Sequence, residues 1–380
     1  MVPFDFQART RVVFGPGCVE RVGTAARELK FARTLLVADR GVLEAGHVAA
    51  VRRSLEAASI AVVPFHDFGE NPDSAMIEAG RAFAAPHNID SLVAVGGGSS
   101  LDAAKGINFL LTNGGTMADY RGYGKARTPL RPMIGIPTTA GTGSEAQSYA
   151  VIADAATHMK MACGDPSAAF RVAFLDPQLT ATAPRHVTAM AGMDAIAHAV
   201  ETAVCTKRTP VSDMYSHEAW RLLSSSFERV LLHAADAEAA SAMLLGSHFA
   251  GFAIEQSMLG AAHACANPLT ARYNIAHGLA LAVLLPTVVR WNGSVAQDRY
   301  SALLGSPRRR ARDEDAAEAL ARRLEDLART ANLALTLRET GVEAADLPAL
   351  AAQAAQQWTG GFNPRPFDTG GALEIYTAAF

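Results

Sequence analysis

A glycine-rich segment joins an apolar run to a helical pattern, and it reads Val95-Gly96-Gly97-Gly98-Ser99-Ser100-Leu101-Asp102-Ala103-Ala104-Lys105. The run Ser91-Leu-Val-Ala-Val-Gly96 before it predicts a buried strand. Three glycines let the backbone turn sharply and approach a ligand without a Cβ clash. The N–H groups that open the helix carry partial positive charge, and this combination binds phosphate. The segment is neither a Gly-x-Gly-x-x-Gly fingerprint nor a Walker loop. We favour a phosphate-binding turn over an ordinary capped turn, which needs only one glycine.

A second loop of this kind reads Ile136-Pro137-Thr138-Thr139-Ala140-Gly141-Thr142-Gly143-Ser144-Glu145. It follows a predicted strand, and taken alone it is compatible with a plain polar turn. Ligands of open α/β sheets lie at the carboxyl ends of parallel strands, where both loops are expected. Asp39 ends another apolar run, and an acid there accepts hydrogen bonds from a ribose and disfavours a 2′-phosphate. An exposed turn aspartate is an equally good reading of Asp39.

The two halves of the chain have different hydrophobic patterns. Up to about residue 180, short apolar runs alternate with amphipathic stretches, which predicts parallel βαβ units. The predicted strands are Thr34–Asp39, Ile60–Phe65, Ser91–Gly96 and Met133–Pro137, and the predicted helices between them include His47–Ala58 and Asp73–Ala84. Beyond Asp176-Pro177 the patterns are helical throughout, with helices predicted at Arg185–Val204, Ser212–Ala234, Ala237–Met258 and Ala316–Asn332. We predict an α/β domain over residues 1–180 and an all-α domain over residues 181–380, with a cleft between them.

Charge, cysteine content and the length of apolar runs indicate which classes of protein the sequence does not fit. The 380 residues carry 34 basic and 37 acidic side chains, a net charge of −3, which disfavours a nucleic-acid binder that relies on a large positive field. Four scattered cysteines predict a reducing compartment, and no leader pattern is visible, so we expect a cytoplasmic protein. The apolar run Gly278–Pro286 is too short to span a membrane. The basic run at residues 308–312 predicts a solvated loop.

Four side chains in the helical half suggest a metal site. Asp194 and His198 are four residues apart in a predicted helix, so they share one face of an otherwise apolar segment. His263 and His277 also lie in apolar surroundings. Buried polar groups need partners, and one aspartate with three histidines suits Fe²⁺ or Zn²⁺. A single histidine of this kind is more often an ordinary core residue, and by chemistry alone the set of four is as compatible with that as with a metal site.

Five motifs in a fixed order connect the chain to a known family. They are Gly96-Gly-Gly-Ser-Ser-Leu-Asp-Ala-Ala-Lys105, Pro137-Thr-Thr-Ala-Gly-Thr-Gly-Ser-Glu145, Leu175-Asp-Pro-Gln-Leu179, Gly192-Met-Asp-Ala-Ile-Ala-His198, and the stretch from His263 to His277-Gly278. In these motifs the chain resembles the iron-containing (group III) alcohol dehydrogenase family over nearly its whole length. The resemblance implies a Rossmann-like dinucleotide-binding domain and a helical metal-binding domain in a dehydroquinate synthase-like architecture. It also implies NAD(P)-dependent hydride transfer between nicotinamide and a small alcohol or carbonyl substrate.

The resemblance further implies the role of individual residues. The implied metal ligands, for Fe²⁺ with Zn²⁺ as the alternative, are Asp194, His198, His263 and His277. The implied contacts to NAD, with NADP as the alternative, are Asp39, Gly97, Gly98, Ser99, Asp102, Thr138, Thr139, Thr142, Ser144, Lys160 and Leu179. His263 and His277 are expected to serve catalysis, and Asn267 to position substrate or water. Many relatives carry a histidine at the position of Asn267, and an amide cannot titrate near neutral pH, so a histidine-based proton relay is in doubt here.

Several other functions are compatible with part of these sequence features. A hydroxyacid–oxoacid transhydrogenase or a maleylacetate reductase-like enzyme would have the same fold, although the latter is expected to lack a complete ligand set. A non-catalytic metal- or nucleotide-binding protein is the more distant alternative. The expected partner is a small molecule, with no nucleic acid and no membrane, and the resemblance suggests a homodimer or a larger homo-oligomer.

Overall fold

The computed structural model describes residues 3–305 and 315–380, which fold as two units. Gln7–Ala183 form an α/β unit, and Pro184–Phe380 form a helical unit that also includes residues 3–6. The sequence assigned these first residues to the α/β domain. They join the helical unit because Phe6 packs edge-on against Phe252, with ring centroids 5.9 Å apart. The basic run at residues 308–312 lies outside the described residues.

The α/β unit is built on a six-stranded parallel sheet with the order β1-β9-β6-β4-β2-β3, beside a three-stranded sheet with the order β5-β8-β7. The strands are β1 Arg11–Phe14, β2 Arg33–Val37, β3 Ala61–Phe65, β4 Ser91–Gly96, β5 Gly122–Tyr123, β6 Met133–Pro137, β7 Tyr149–Ala153, β8 Lys160–Gly164 and β9 Val172–Leu175. All four predicted strands are present, and the parallel sheet is confirmed. The small sheet was not predicted, and its strands β7 and β8 are antiparallel.

Alternate residues of the central strands supply two separate cores. Leu35 and Val37 of β2 belong to one apolar cluster, and Leu36 belongs to the other. This alternation follows from the two-residue period of a strand. Six helices accompany the strands, and they are α1 Val22–Glu28, α2 Arg40–Glu44, α3 His47–Ala57, α4 Ser74–Ala84, α5 Gly98–Asn113 and α6 Pro177–Thr180. Residues of α4 and α5 join the first cluster and residues of α1 and α3 join the second, so the sheet is covered on both faces.

The helical unit contains no strand among its described residues. Its helices are α7 Arg185–Val204, α8 Pro210–Leu232, α9 Ala237–Gln256, α10 Ala261–Tyr273, α11 His277–Leu303, α12 Ala316–Thr330, α13 Leu347–Ala354 and α14 Thr369–Ala379. Helix α7 packs against α8, α9 and α11. Because neighbours surround it, α7 is buried along nearly its whole length from Ala189 onward, which explains why its sequence is apolar apart from a few polar residues.

Helix α11 is long and apolar enough to cross a membrane by length and composition, and it is the single such helix in the described ranges. However, 67% of its most apolar window is buried inside the protein. Burial of this extent is typical of a core helix, so its hydropathy is explained by packing within the helical unit.

Candidate metal centre and dinucleotide loops

Three helices of the helical unit bring the four predicted ligands together. Asp194 and His198 lie one turn apart on α7, His263 lies in the first turn of α10, and His277 is the first residue of α11. The side chains of Asp194, His198 and His263 are 8%, 6% and 5% exposed, whereas that of His277 is 21% exposed. Three of the four side chains are therefore buried, and His277 is the most exposed member of the cluster.

Gly278 allows α11 to begin close to α7. A Cβ at Gly278 would lie 2.0 Å from the carbonyl oxygen of Met190, a distance that no side chain tolerates. Met190 is one helical turn before Asp194. The missing side chain thus lets His277, the neighbour of Gly278, approach Asp194.

All three imidazoles face one carboxylate oxygen. Asp194 Oδ1 lies 3.2 Å from His198 Nε2, 3.6 Å from His263 Nε2 and 3.9 Å from His277 Nε2. The ligand atoms of Asp194, His263 and His277 all lie within 4.8 Å of one another. His198 stands outside that set of three, but its ring stacks on His263 with centroids 4.9 Å apart. The structure therefore brings all four predicted ligands into one cluster.

Several polar atoms in this cluster lack an ordinary hydrogen-bond partner. Among the described residues, Asp194 Oδ1, His198 Nδ1 and His263 Nε2 are buried and make no hydrogen bond. Burial favours the neutral form of Asp194, but the neighbouring histidines outweigh it and hold the pKa of this carboxyl well below its usual range. Burial lowers the pKa of His263, but the carboxylates of Glu201 and Asp194 outweigh burial, and the net effect raises this pKa to about 9. Convergent, unpartnered oxygen and nitrogen atoms fit a divalent cation such as Fe²⁺ or Zn²⁺.

Glu201 is the polar residue that the sequence analysis missed. It lies on α7 one turn beyond His198, and it is 3% exposed. Its Oε2 lies 2.5 Å from His263 Nδ1, and its Oε1 accepts a hydrogen bond of 2.7 Å from the backbone N–H of Ala262. A signal for it was present, because Glu201 is seven residues after Asp194 and therefore on the same face of an apolar helix.

Asn267 lies one turn after His263 on α10 and is half-buried. Its Nδ2 donates a hydrogen bond of 3.0 Å to Oε1 of Gln357, which is buried. One amide proton of Asn267 is thus used within the protein. The role assigned to Asn267 from the sequence, positioning of substrate or water, remains a prediction.

The glycine-rich turn of the α/β unit has the predicted form. Gly97 is the N-cap of α5, and it provides no side chain to satisfy the first N–H groups of this 16-residue helix. The second loop lies against it, because a Cβ on Gly98 would be 2.6 Å from Cγ2 of Thr142 and one on Gly97 would be 3.3 Å from Oγ1 of Thr139. The two loops that the sequence analysis singled out are therefore neighbours at the carboxyl ends of β4 and β6.

Lys105 connects helix α5, which follows the glycine-rich turn, to the second loop. Its side chain is fully buried, and its Nζ donates to the carbonyl oxygens of Ser144, Gln147 and Tyr149 at 2.7–2.9 Å. Asp102 completes the network, since it accepts hydrogen bonds from Ser144 Oγ at 2.5 Å and from the backbone N–H of Val151 at 3.1 Å. Asp102 and Ser144, both predicted to contact the dinucleotide, thus have partners within the protein.

Asp39 caps a helix, and its predicted contact with the dinucleotide remains a prediction. Its Oδ1 accepts from the N–H of Val42 in the first turn of α2, and its Oδ2 accepts from Ser100 Oγ at 2.8 Å. Ser100 lies in the first turn of α5, so Asp39 lies beside the glycine-rich turn.

The remaining predicted contacts are more dispersed. Thr138 is buried at the end of β6, and Ser99 Oγ accepts from the backbone N–H of Asn71 at 3.1 Å. Lys160 begins β8, and its charge acts on Asp102. Leu179 lies in α6 beyond β9 and belongs to the apolar cluster of α1 and α3.

Comparisons with known proteins agree with this geometry. Residues 9–177 match the family described as iron-containing alcohol dehydrogenase, and residues 188–380 match the C-terminal part of the Fe-containing alcohol dehydrogenase family. Alcohol dehydrogenase 4 of Schizosaccharomyces pombe is 34% identical over 353 residues, which cover 93% of this chain and 83% of that protein. The NAD-dependent methanol dehydrogenase of Bacillus methanolicus is 32% identical, with 93% of each chain covered.

A solved structure of a 1,3-propanediol oxidoreductase superposes with a TM-score of 0.94 at 30% identity, and all of both chains is covered. The fold class, the family and the reaction class predicted from the sequence are thereby confirmed, as is the use of a metal and a nicotinamide dinucleotide. The chain therefore belongs to the iron-containing alcohol dehydrogenase family, and it is an oxidoreductase that interconverts alcohols and carbonyl compounds.

Proposed function

We propose that this protein is an NAD-dependent dehydrogenase of small primary alcohols, or reductase of the matching aldehydes, with a divalent cation held by Asp194, His198, His263 and His277. Fe²⁺ is the first candidate and Zn²⁺ the second, since both accept one carboxylate and three imidazoles. The observation that carries the proposal is the pair of buried, unpartnered atoms, Asp194 Oδ1 and His263 Nε2, which converge with two further imidazoles.

The residues of the cluster have different roles in binding a cation. Asp194 supplies the single negative charge on which the three imidazoles converge. His277 is the most exposed of the four ligands, so we expect a small substrate to approach the cluster on its side. When bound, the cation supplies Lewis-acid chemistry that stabilises negative charge on the oxygen of an alcohol or a carbonyl group.

The two loops of the α/β unit are the proposed dinucleotide site. The uncapped N–H groups at Gly98 and Ser99 suit a pyrophosphate, and the adjacent hydroxyls of Thr138, Thr139 and Thr142 offer further hydrogen bonds. Asp39 beside this turn supports NAD over NADP, because its charge opposes a 2′-phosphate. The other predicted contacts, Asp102, Ser144, Lys160 and Leu179, remain part of the proposal.

Substrate size is inferred from the relatives. Those similar to this chain include proteins named for methanol, 1,3-propanediol and lactaldehyde, all of which are small. We propose Asn267 as a residue that positions substrate or water through its amide, and it cannot relay protons because it does not titrate.

The proposal extends to location and assembly. The four free cysteines are all buried, which suits a reducing cytoplasm. The edge strand β1 leaves Val12 and Phe14 40% and 43% exposed, and an apolar edge strand favours pairing with a second copy. A homodimer or larger homo-oligomer would give twice the monomer mass or more in light scattering.

The test begins with metal removal. The full-length protein is stripped with a chelator, reloaded with Fe²⁺ under anaerobic conditions or with Zn²⁺, and assayed for NADH absorbance with small primary alcohols and diols. We expect activity to disappear with the metal and to return with it, and NAD to be preferred over NADP. Tight binding of NAD and metal without turnover would favour a non-catalytic binding protein. Turnover that needs both a hydroxyacid and an oxoacid, without net NADH, would favour a transhydrogenase.

A further inference from the structure

We propose that Glu201 is a positioning residue of the metal centre, which fixes the tautomer and the direction of the His263 ring and caps the helix that carries it. The inference rests on the proposed metal centre, but it concerns a residue that is not one of the four proposed ligands. Its basis is that the two oxygens of one buried carboxylate meet two different donors, the ring of His263 and the backbone of α10.

The first contact determines which ring nitrogen of His263 is available. Glu201 Oε2 lies 2.5 Å from Nδ1, and a carboxylate only accepts hydrogen bonds, so Nδ1 carries the proton. In the neutral ring the lone pair is then on Nε2, the atom that faces Asp194. Histidine ligands of metals are commonly oriented by a carboxylate in this way.

The second contact holds the start of α10 in place. The N-cap of α10 is Gly260, which has no side chain to cap the helix. Glu201 Oε1 instead accepts from the N–H of Ala262, and Asn363 Oδ1 accepts from the N–H of Ala261 at 3.2 Å. The positive end of the helix dipole lies beside Glu201 and stabilises its charge. His263 follows directly, so the same carboxylate fixes both the backbone and the ring.

An amide cannot replace this carboxylate. Ala262 N–H and His263 Nδ1–H are both donors, and the two oxygens of Glu201 accept from both. Glutamine offers one acceptor and one NH₂ group at the same place. If the glutamine oxygen accepts from Ala262 N–H, its NH₂ group faces Nδ1 of His263. Nδ1 must then accept, so the ring proton moves to Nε2, which no longer has a lone pair for a metal. If the oxygen instead accepts from His263 Nδ1–H, the NH₂ group and the N–H of Ala262 are two donors that face each other.

Asn363 separates the two roles. It caps the same helix, and its other side-chain hydrogen bonds go to Asn292 and to the carbonyl oxygen of Arg365, not to any of the four proposed ligands. Asn363→Ala therefore removes a cap from α10 and leaves the contact at His263 Nδ1 in place. A loss of metal affinity caused only by loosening of the helix would appear in both variants.

The experiment measures the Kd for Zn²⁺ on the full-length chain by competition with a chromogenic chelator, in the wild type, Glu201→Gln, Glu201→Asp, Asn363→Ala and Asp194→Ala. We expect Glu201→Gln to raise the Kd by about 10–100-fold and Asn363→Ala to raise it far less. Glu201→Asp keeps both acceptors on a shorter side chain and should fall between wild type and Glu201→Gln. Nitrogen NMR of the zinc-loaded wild type should show His263 protonated at Nδ1 and not at Nε2.

The outcomes distinguish this inference from the proposed function. An unchanged Kd in Glu201→Gln, or an equal loss in Asn363→Ala, would overturn the positioning role while the metal centre stands. Wild type that binds Zn²⁺ no better than Asp194→Ala would overturn the metal centre itself, and the role of Glu201 with it. If Glu201→Gln does not fold, Glu201→Asp decides, and an unchanged Kd in that variant would contradict the inference.

Discussion

The two sites differ in how they treat buried polar groups. In the α/β unit, the ammonium of Lys105 donates to three carbonyl oxygens, and both oxygens of Asp102 accept hydrogen bonds. In the helical unit, Asp194 Oδ1 and His263 Nε2 have no hydrogen-bond partner among the described residues. The first network is complete within the protein, whereas the second is complete only when something else is bound.

This difference shows what each site is built to do. A satisfied network stabilises a fixed backbone shape, and here the shape is that of two loops. An unsatisfied buried cluster costs stability unless a ligand completes it, so it is kept where binding requires it. Substitutions in the metal cluster should therefore affect activity more than stability, and those in the loop network should do the reverse.

The largest effect is expected from His277→Ala. Removal of one of the four convergent ligands should lower kcat/KM by roughly a thousandfold or more, because Lewis-acid stabilisation is worth several kcal/mol. His277 is the most exposed ligand, so its loss should change the free energy of unfolding of the metal-free protein by less than about 1 kcal/mol. Bound metal, activity and urea unfolding are measured on the same preparation.

The matched control is His233→Ala, which removes an exposed histidine at the end of α8. It should leave metal content and activity unchanged. Full activity in His277→Ala would show that the cluster does not act as proposed, and unfolding of that variant would contradict the contrast between the two sites.

An intermediate effect is expected from Lys105→Met, mainly on stability. The substitution removes the donor of three buried carbonyl oxygens and the cation beside Asp102, which should lower the free energy of unfolding by about 2–5 kcal/mol. The loops should loosen, so NAD affinity should fall, while the stoichiometry of bound Zn²⁺ stays that of the wild type. Urea unfolding, NAD titration and metal analysis measure these three quantities.

Lys125→Met is the control for Lys105→Met, because it removes an exposed lysine from the same unit. Its stability should stay within about 0.5 kcal/mol of the wild type. Equal stability of the two variants would show that the buried network does not support the loops.

The sequence predicted the loop region well because local signals specify it. Three consecutive glycines after the strand Ser91–Gly96 indicate that a helix opens there, and the strand Met133–Pro137 places the second loop. Lys105 was not predicted as the centre of the network, because its partners Gln147 and Tyr149 are distant in sequence and act through backbone oxygens. No residue pattern records contacts of that kind.

The four ligands of the metal cluster were all named from the sequence, but the packing that joins them was not, for the same reason. Asp194 and His198 share a helix face, which the four-residue spacing reveals, but His263 and His277 join them through helix packing. Glu201 was overlooked because a lone acid in a helix is usually solvated, and only its contact with His263 Nδ1 gives it a role. The unpartnered state of Asp194 Oδ1 is likewise a property of three-dimensional packing.

The smallest effect is expected from Asp39→Asn, which sharpens the contrast because Asp39 is both partnered and proposed to contact a ligand. Asparagine keeps an oxygen that caps Val42 N–H, and its NH₂ group can donate to Ser100 Oγ, so stability should change by less than about 1 kcal/mol. What disappears is the charge that opposes a 2′-phosphate. The ratio of kcat/KM for NADP to that for NAD should rise about tenfold, which corresponds to a like-charge repulsion of about 1.4 kcal/mol. Asp39→Gly removes the cap as well and should be less stable with a similar ratio. A ratio that stays at the wild-type value in both variants would mean that Asp39 serves only the fold, like Lys105 and Asp102 in the network beneath the same loops.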